Sequence, residues 1–476
     1  MRALVELQQK LAKIDPKQTD LIQTEEEIRA ALDVVGVELM ASVLQAADVD
    51  TQEILVNGVL HGRIDQREAK VHTTFGVAVV QQTLYGRGRG HPTVAPMEKQ
   101  LGLVESLYTP KCAKVLSHLT AVTVRSEAMG LLREMGGIGL GEATAHRLPL
   151  AVMARYERGR EIIEQHVRQR SAIPPEATTL QVGLDGVMVP MGGEECRPRG
   201  REPKGDPDPP RHERRYGVVG EPGPSGSDST MGVGWHEASV GTLAFFDAAG
   251  EHVSTVYLGR MPEEHKATLG DMLLAEAQHV LAQRPDLQLV MASDGAQGQW
   301  ATLAEITAAM PEPTRERAVW LLDFFHAAEH LQEACNAVDG SGTAAAKVHR
   351  QQLAETLKEY DDGAERVIRR LAHYRRQAKR EKARDEIDSV ISYLQNNRKR
   401  MGYKDAIERH LPIATGPTEA AAKTLVGTRM KRSGARFIQH GGQTILTLRA
   451  TLKSDRFEPL FDVLVDQYKA DIKLAA

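Results

Sequence analysis

Hydrophobic positions in the first fifty residues recur every three or four places, at Leu4, Leu7, Leu11 and Ile14 and again at Ile28, Leu32 and Val35. This spacing predicts a helical packing segment over 1–50. After Asn57-Gly58 the pattern changes to alternation, with Phe75, Val77 and Val79 on one strand face, until Gly86-Arg-Gly-Arg-Gly90-His-Pro92 interrupts it. A small sheet or hairpin is expected there. From Ser126 a helical pattern runs to Gly136-Gly137 and restarts at Gly141-Glu-Ala-Thr-Ala-His-Arg147. That is the outline of a helix-turn-helix within a region 51–172, with Thr144, His146 and Arg147 as candidate DNA contacts. Two helices that only pack on each other are the plain alternative.

Ser171-Ala-Ile-Pro-Pro175 cannot continue a helix and marks a boundary, so a new domain is expected over 174–326. Leu180, Val182 and Leu184 alternate in a strand predicted to end on Asp185-Gly186. The stretch 192–234 is rich in Pro, Gly, Arg and Ser, and reads as a disordered excursion. Two β runs follow, Val240 to Phe246 and Val253 to Leu258, joined by the hairpin signature Asp247-Ala-Ala-Gly250. A helix from about Leu269 to Gln283 leads to the apolar run Leu287 to Ser293, which suits a buried parallel strand and ends on Asp294-Gly295. Ala318 to Leu322 is another such strand, ending on Asp323-Phe-Phe-His326. The order strand, hairpin, helix, strand, helix, strand, helix is that of an RNase H-like α/β core with a mixed sheet. Helical patterning over 327–411 predicts an all-α insertion, and 412–476 holds a last set of helices. The fold class expected is therefore α+β multidomain, with an N-terminal helical, helix-turn-helix DNA-binding region.

In such a core the first and fourth strands are parallel neighbours, so Asp185 and Asp294 would meet at one sheet edge, where sites in open α/β sheets gather. A third acid is found in Pro412-Ile-Ala-Thr-Gly-Pro-Thr-Glu419-Ala-Ala-Ala-Lys423, where Gly416-Pro417 starts a helix with Glu419 in its first turn. Three carboxylates suit hard divalent cations, Mg²⁺ or Mn²⁺, which take oxygen ligands. Two such ions ~4 Å apart can activate an attacking oxygen and stabilise a leaving one at phosphorus. Each acid also has a plain reading: Asp-Gly as a turn former, Glu419 as a first-turn acid favoured by the helix dipole. For Asp323 the plain reading is a helix N-cap, with His326 packed beside it; phosphate positioning or ordering of the site is the functional one. His326 and His330 have helical metal-pair spacing but lack a His-Glu-x-x-His frame.

Taken in order, Val182-Gly-Leu-Asp185-Gly, Ala292-Ser-Asp294-Gly-Ala, Leu322-Asp323-Phe-Phe-His326-Ala-Ala-Glu-His330-Leu and Glu419-Ala-Ala-Ala-Lys423 running into Arg429-Met-Lys-Arg-Ser-Gly-Ala-Arg436-Phe resemble DDE-type bacterial insertion-sequence transposases. The likeness is to the ISKra group most closely and to mutator-like transposases more distantly, and it covers roughly residues 70–460. The resemblance implies that Asp185, Asp294 and Glu419 form a catalytic, metal-binding triad, and that 327–411 is an insertion before the Glu419 helix. It implies that Trp235-His-Glu-Ala is the return to the second strand. Asp323 and His326 resemble the Cys/Asp-x-x-His signature of the mutator-like group. Many relatives carry zinc-binding cysteines near the strand at Phe75, where this chain has Gly-Arg-Gly-Arg-Gly-His, and zinc is not expected. Ala414-Thr-Gly-Pro-Thr418 also replaces a frequent Gly-Ser-Gly before the glutamate.

Composition narrows the picture. Lys and Arg number 60 against 64 Asp and Glu in 476 residues, for a net charge of −4, so DNA binding must rest on local patches. One patch comprises Arg366, Arg369, Arg370, Arg375, Arg376, Lys379, Arg380, Lys382 and Arg384, though Asp385, Glu386 and Asp388 could neutralise it. Another is Arg429, Lys431, Arg432 and Arg436, without an intervening acid. Aromatics make up only 4% of the chain, which does not point to base-stacking platforms. Cys112, Cys196 and Cys335 lie too far apart for a metal knuckle and read as inert thiols. No apolar run reaches the ~18 residues of a membrane span and no secretory signal is visible, so a cytoplasmic, nucleoid-associated protein is expected.

The expected function is therefore a transposase that binds the terminal inverted repeats of its element, cuts the 3′ ends and joins them to target DNA. Double-stranded DNA would be its partner and a homo-oligomer its working form. An RNase H-fold nuclease or resolvase without strand transfer, and a non-catalytic DNA-binding derivative, are the alternatives.

Overall fold

The computed structural model describes residues 20–88, 90–136, 138, 140–192 and 233–474, together with Val5, Gln8, Gln9 and Ala12. The chain is α+β and divides into two compact units, the break falling between Ser171 and Ala172. The first unit takes the described residues up to Ser171 and those from Asp455 onward; the second holds Ala172–Gly192 and 233–454. Most of the expected excursion at 192–234, Cys196 included, lies outside the described residues, as does most of the chain before Asp20.

In the first unit, Asp20 caps helix α1 (Leu21–Ala46) by accepting from the amides of Ile22 and Gln23. Strands β1 (Glu53–Val56), β2 (Val59–His72) and β3 (Val77–Gly86) follow. Phe75 is not in a strand but in the turn between β2 and β3, where its ring lies against Gly36 of α1. The Gln45 side chain bonds both backbone groups of Gln81, and Asp48 accepts from Thr83, fixing α1 and its C-terminal end against β3. Helices α2 (Pro96–Leu101), α3 (Pro110–Val122), α4 (Arg125–Met135), α5 (Glu142–Arg158) and α6 (Arg160–Gln169) complete this run. The helices expected from Ser126 and Gly141 are thus present as α4 and α5. The last segment of the chain returns here: helix α18 (Phe457–Asp466) packs on α3 and α6, and β9 (Ile472–Leu474) pairs with β1, giving the antiparallel order β3-β2-β1-β9. Arg155 secures the return, donating to the Gln467 carbonyl and stacking over Tyr468.

The second unit is built on a five-stranded mixed sheet. Its strands are β4 (Thr179–Met191), β5 (Gly234–Phe246), β6 (His252–Arg260), β7 (Gln288–Ser293) and β8 (Val319–Leu322). Their order is β6-β5-β4-β7-β8, with β4, β5 and β6 antiparallel and β4, β7 and β8 parallel. The hairpin turn is closed as its sequence demands: Asp247 accepts from the amides of Ala249 and Glu251, and Gly250 takes a left-handed φ of 80°. One face of β4, carrying Leu180, Val182 and Leu184, packs with helix α7 (Ala267–Gln283) into the main core, to which helix α8 (Gln297–Ala308) also contributes. Helix α9 (Glu312–Arg317) precedes β8.

After β8 the chain is helical as expected: α10 (Phe324–Asp339), α11 (Ala344–Glu359), α12 (Gly363–Gln377), α13 (Glu381–Asn397), a 3-10 turn over Arg398–Arg400 and α14 (Tyr403–Glu408). The run of basic residues after Arg366 is therefore not one helix but two, α12 and α13, broken between Ala378 and Arg380. Then come α15 (Gly416–Ala421), a π turn over Ala422–Gly427, the single turn α16 (Thr428–Met430) and α17 (Gln439–Lys453). A π turn leaves backbone carbonyls imperfectly paired, and here the buried Arg449 of α17 donates to the carbonyls of Thr424 and Leu425. Cys112 and Cys335 are buried and free, their thiols pushed up to about 12 and about 11, chiefly by burial.

The other face of β4 carries Gln181, Gly183 and Asp185, and α15 lies along it. Gln181 donates to the Ala414 carbonyl at 3.0 Å. A Cβ on Gly183 would stand 2.3 Å from Oγ1 of Thr418, which itself bonds Oγ1 of Thr242 at 2.7 Å. The approach of α15 to β4 therefore requires glycine at 183. Gly183→Ala is expected to cost about 1–3 kcal/mol in chemical denaturation, as overpacking of a closed interface does. Combining it with Thr418→Ala should recover part of that loss.

Candidate active site

Three acids from distant parts of the second unit come into one neighbourhood beside β4, the central strand of the mixed sheet. The parallel pairing of β4 with β7 ends at Gly183 opposite Ala292. Continuing that register by two residues sets Asp185 opposite Asp294. Asp294 is the first residue beyond β7, as expected, but Asp185 does not end its strand: β4 runs on to Met191 because β5 pairs with it along its whole length. The strand end that matters is that of the parallel pair. Glu419 comes from α15, one residue after the Thr418 that seats on Gly183.

Asp294 and Glu419 both act on Asp185. Burial raises the Asp185 carboxyl above its ordinary range; the amide of Gly186, donating at 2.7 Å, works against this; Asp294 and Glu419 then raise it further, while Lys266 lowers it. The carboxyl of Asp294 accepts from the amide of Ala296 at 3.0 Å. Its backbone carbonyl accepts from Tyr393 of α13 at 2.8 Å, where Gly295, with φ 107°, leaves room for the ring. Glu419 is exposed and pairs with Lys423 at 3.0 Å, one turn along.

Sequence reasoning missed two neighbours. Gln299 of α8 is buried, and with its amide group turned to satisfy its surroundings its nitrogen lies within hydrogen-bond reach of Asp294, Ser293 and the Leu184 carbonyl, linking the end of β7 to the middle of β4. Lys266, at a left-handed φ of 54°, pairs with Glu237 at 2.8 Å beside Asp185. Neither has a local sequence signal, since a lone Gln near a helix start and a Lys before a helix are ordinary.

Asp323 is the helix N-cap of its plain reading, and it makes a second contact besides. It is 2% exposed and accepts from the His326 amide at 2.7 Å, which is the N-cap of α10. Its other oxygen accepts from the amide and from the hydroxyl of Thr415, the hydroxyl at 2.7 Å, so it also holds the segment leading into the Glu419 helix. The Phe324 amide adds a bond to the Ile413 carbonyl. His326 and His330 each face a glutamate of their own helix, Glu329 and Glu333, and His330 packs on the Tyr393 ring at 4.0 Å.

Among the described residues no three His, Cys, Asp or Glu side chains are already gathered as a metal-holding cluster. The donor set nonetheless fits a hard divalent cation in type and charge: three carboxylates lie in one neighbourhood, and Asp185, the most buried, is disfavoured as an anion by burial and by the other two. A cation there would remove that penalty.

No family model matches the chain, and no curated protein matches it.

The candidate DNA contacts divide by environment. On α5, Thr144 is half-buried and Arg147 exposed. On α12, Arg366 and Arg369 share Asp362, Arg375 pairs with Asp388 of α13, and Arg370 bonds Tyr374 and Gln352; Arg376 is exposed. Four of the nine cations of that patch are thus ion-paired within the protein, Lys382 with Glu386 being the fourth. Lys431, Arg432 and Arg436 lie exposed after α16. Arg429 does not join them: it is 7% exposed, because its position falls on the inward side of the chain beside Met430. No described helix is long and apolar enough to cross a membrane.

Two outcomes follow. Replacing Asp323 by Ala strands three donors in a buried place and should cost about 2–5 kcal/mol in denaturant midpoint analysis. For Asp185, a raised folded pKa means that the folded state holds its proton more tightly, so stability falls as pH rises from the ordinary carboxylate value through the raised one. Asp185→Asn removes that dependence. In chelator-treated protein its melting temperature should exceed wild type at pH 7, with the gain vanishing at acid pH.

Proposed function

We propose that the chain is a DDE-type transposase, which binds the ends of a DNA element and carries out metal-dependent strand cleavage and strand transfer. The observation that carries the reading is that the β4–β7 register sets Asp185 opposite Asp294 while Thr418 on Gly183 brings the neighbouring Glu419 to the same strand, acids 109 and 125 residues apart in sequence. The strand order, with a central strand flanked by an antiparallel hairpin and two parallel strands, supports an RNase H-like core. The α4 and α5 pair supports a helix-turn-helix reading of the N-terminal region, with Thr144 and Arg147 near the start of the second helix.

Mg²⁺ or Mn²⁺, two ions in the full site, would be held by Asp185, Asp294 and Glu419, and when bound would supply an activated oxygen nucleophile and charge stabilisation at phosphorus. The protein's own part is to orient. Gln299 and the Ala296 amide hold the Asp294 carboxyl, the Gly186 amide holds Asp185, and Asp323 sets the segment that carries Glu419. Lys423 occupies Glu419 and would have to yield it to a cation, while exposed Lys431, Arg432 and Arg436 are suited to phosphates. A homo-oligomer would bring two DNA ends together, and a cytoplasmic, nucleoid-associated location would follow from the substrate.

The test is excision and joining of a short element carrying candidate terminal repeats, with Mg²⁺ or Mn²⁺, comparing wild type with Asp294→Asn. Wild type should cut and join; the variant should bind DNA and lose both steps by on the order of a hundredfold or more, the scale on which even outer partners of a metal site act. Cleavage without joining would select the nuclease reading, and equal activity of the variant would end the triad assignment.

A further inference from the structure

The 3-10 turn Arg398–Arg400 forms one wall of an open cavity of about 790 Å³, whose other lining residues include Trp320, Gln395 and Asn396. That volume lies within the range of small-ligand sites, ~300–1,000 Å³. Three features give the cavity a chemistry. Its cations are consecutive, and among the described residues neither Arg398 nor Lys399 forms an ion pair, unlike the α12 arginines held by Asp362 and Asp388. One of its walls is aromatic: Trp320 lines it, backed by the buried Trp300 at 6.0 Å, which the Arg400 guanidinium covers at 4.3 Å and which donates to buried Asn397 at 3.2 Å. Its rim carries the exposed carboxamides of Gln395 and Asn396, donors and acceptors together.

We infer that this cavity binds an unpaired nucleotide of a DNA strand, its flanking phosphates on Arg398 and Lys399 and its base against Trp320 within reach of the two carboxamides. A duplex shows its phosphates outside and keeps its base faces stacked, so it would use the cations and leave the indole and amides without a counterpart. An aromatic face, polar edges and a cationic track are the parts of a single-strand site. The low aromatic content of the chain hides this, because the platform needs only one accessible indole. The inference adds a ligand to a region outside the carboxylate cluster and does not rest on catalysis.

The test uses the full chain in chelator, with Trp235→Phe as background so that indole emission reports only Trp300 and Trp320, since the sequence has three tryptophans. Probes are a short oligo-dT strand, a blunt duplex of equal length and inorganic phosphate. The strand should quench emission saturably, and better than the duplex or phosphate. Arg398→Ala with Lys399→Ala, both on the surface, should weaken binding and reduce the slope of log affinity against log salt by about 0.7 per lost phosphate contact. Trp320→Ala should weaken it about 5- to 150-fold, the worth of one stacked base. Unchanged affinity and slope in the double variant would overturn the inference, as would equal quenching by the duplex. Because neither metal nor cleavage is involved, a chain that cuts and joins DNA yet fails this test loses only the nucleotide site.

Discussion

The second unit depends on one buried carboxylate having enough donors. Asp323 sits at the end of β8 with almost no access to water and, among the described residues, in no ion pair, so its charge is supported by hydrogen bonds and by the N-terminus of the helix it caps. Those donors come from the start of α10 and from Thr415, 92 residues later. The chain between them is the helical run α10–α14. An anion in such a place is tolerable only while both segments stay where they are, so that run can be long without loosening the helix that follows it. The Tyr393 bond to the Asp294 carbonyl ties the run to the end of β7 a second time.

What was legible in the sequence follows from which signals are local. Alternation at Leu180, Val182 and Leu184, the Asp247–Gly250 turn and the apolar runs before Asp294 and Asp323 identify strands because each needs only its own neighbours. Asp185 looked like a strand end because Asp-Gly usually breaks a strand; the long antiparallel pairing with β5 carries the strand through it. β2 was missed because its fourteen residues are largely polar and exposed, and β9 because three residues carry no pattern until β1 is beside them. Arg429 appeared to be part of a basic patch, yet helical phase turns it inward while Lys431 and Arg432 stay out. Gln299 and Lys266 belong to the acid site only through tertiary contact.

Charge counting misled in both directions. Nine basic residues from Arg366 to Arg384 suggest a strong surface, but several spend their charge on Asp362 and Asp388. Such exposed pairs add little stability, but they do reduce the field available to a phosphate. Three cations in a row at Arg398–Arg400 carry no signal of their own in a long helical region, and their setting beside Trp320 and over Trp300 exists only once β8, α8 and α13 are assembled.

The π turn after Glu419 sets an angle. A π turn holds one residue more than an α turn, and in an α-helix one residue is about 100° of rotation. Arg449, by bonding the carbonyls of Thr424 and Leu425, fixes that extra residue in place. Thr418 is keyed to Gly183 upstream, and the basic stretch from Lys431 begins downstream. The Arg449 guanidinium thus ties to α17 the turn that stands between the helix bearing Glu419 and the stretch bearing Lys431, Arg432 and Arg436.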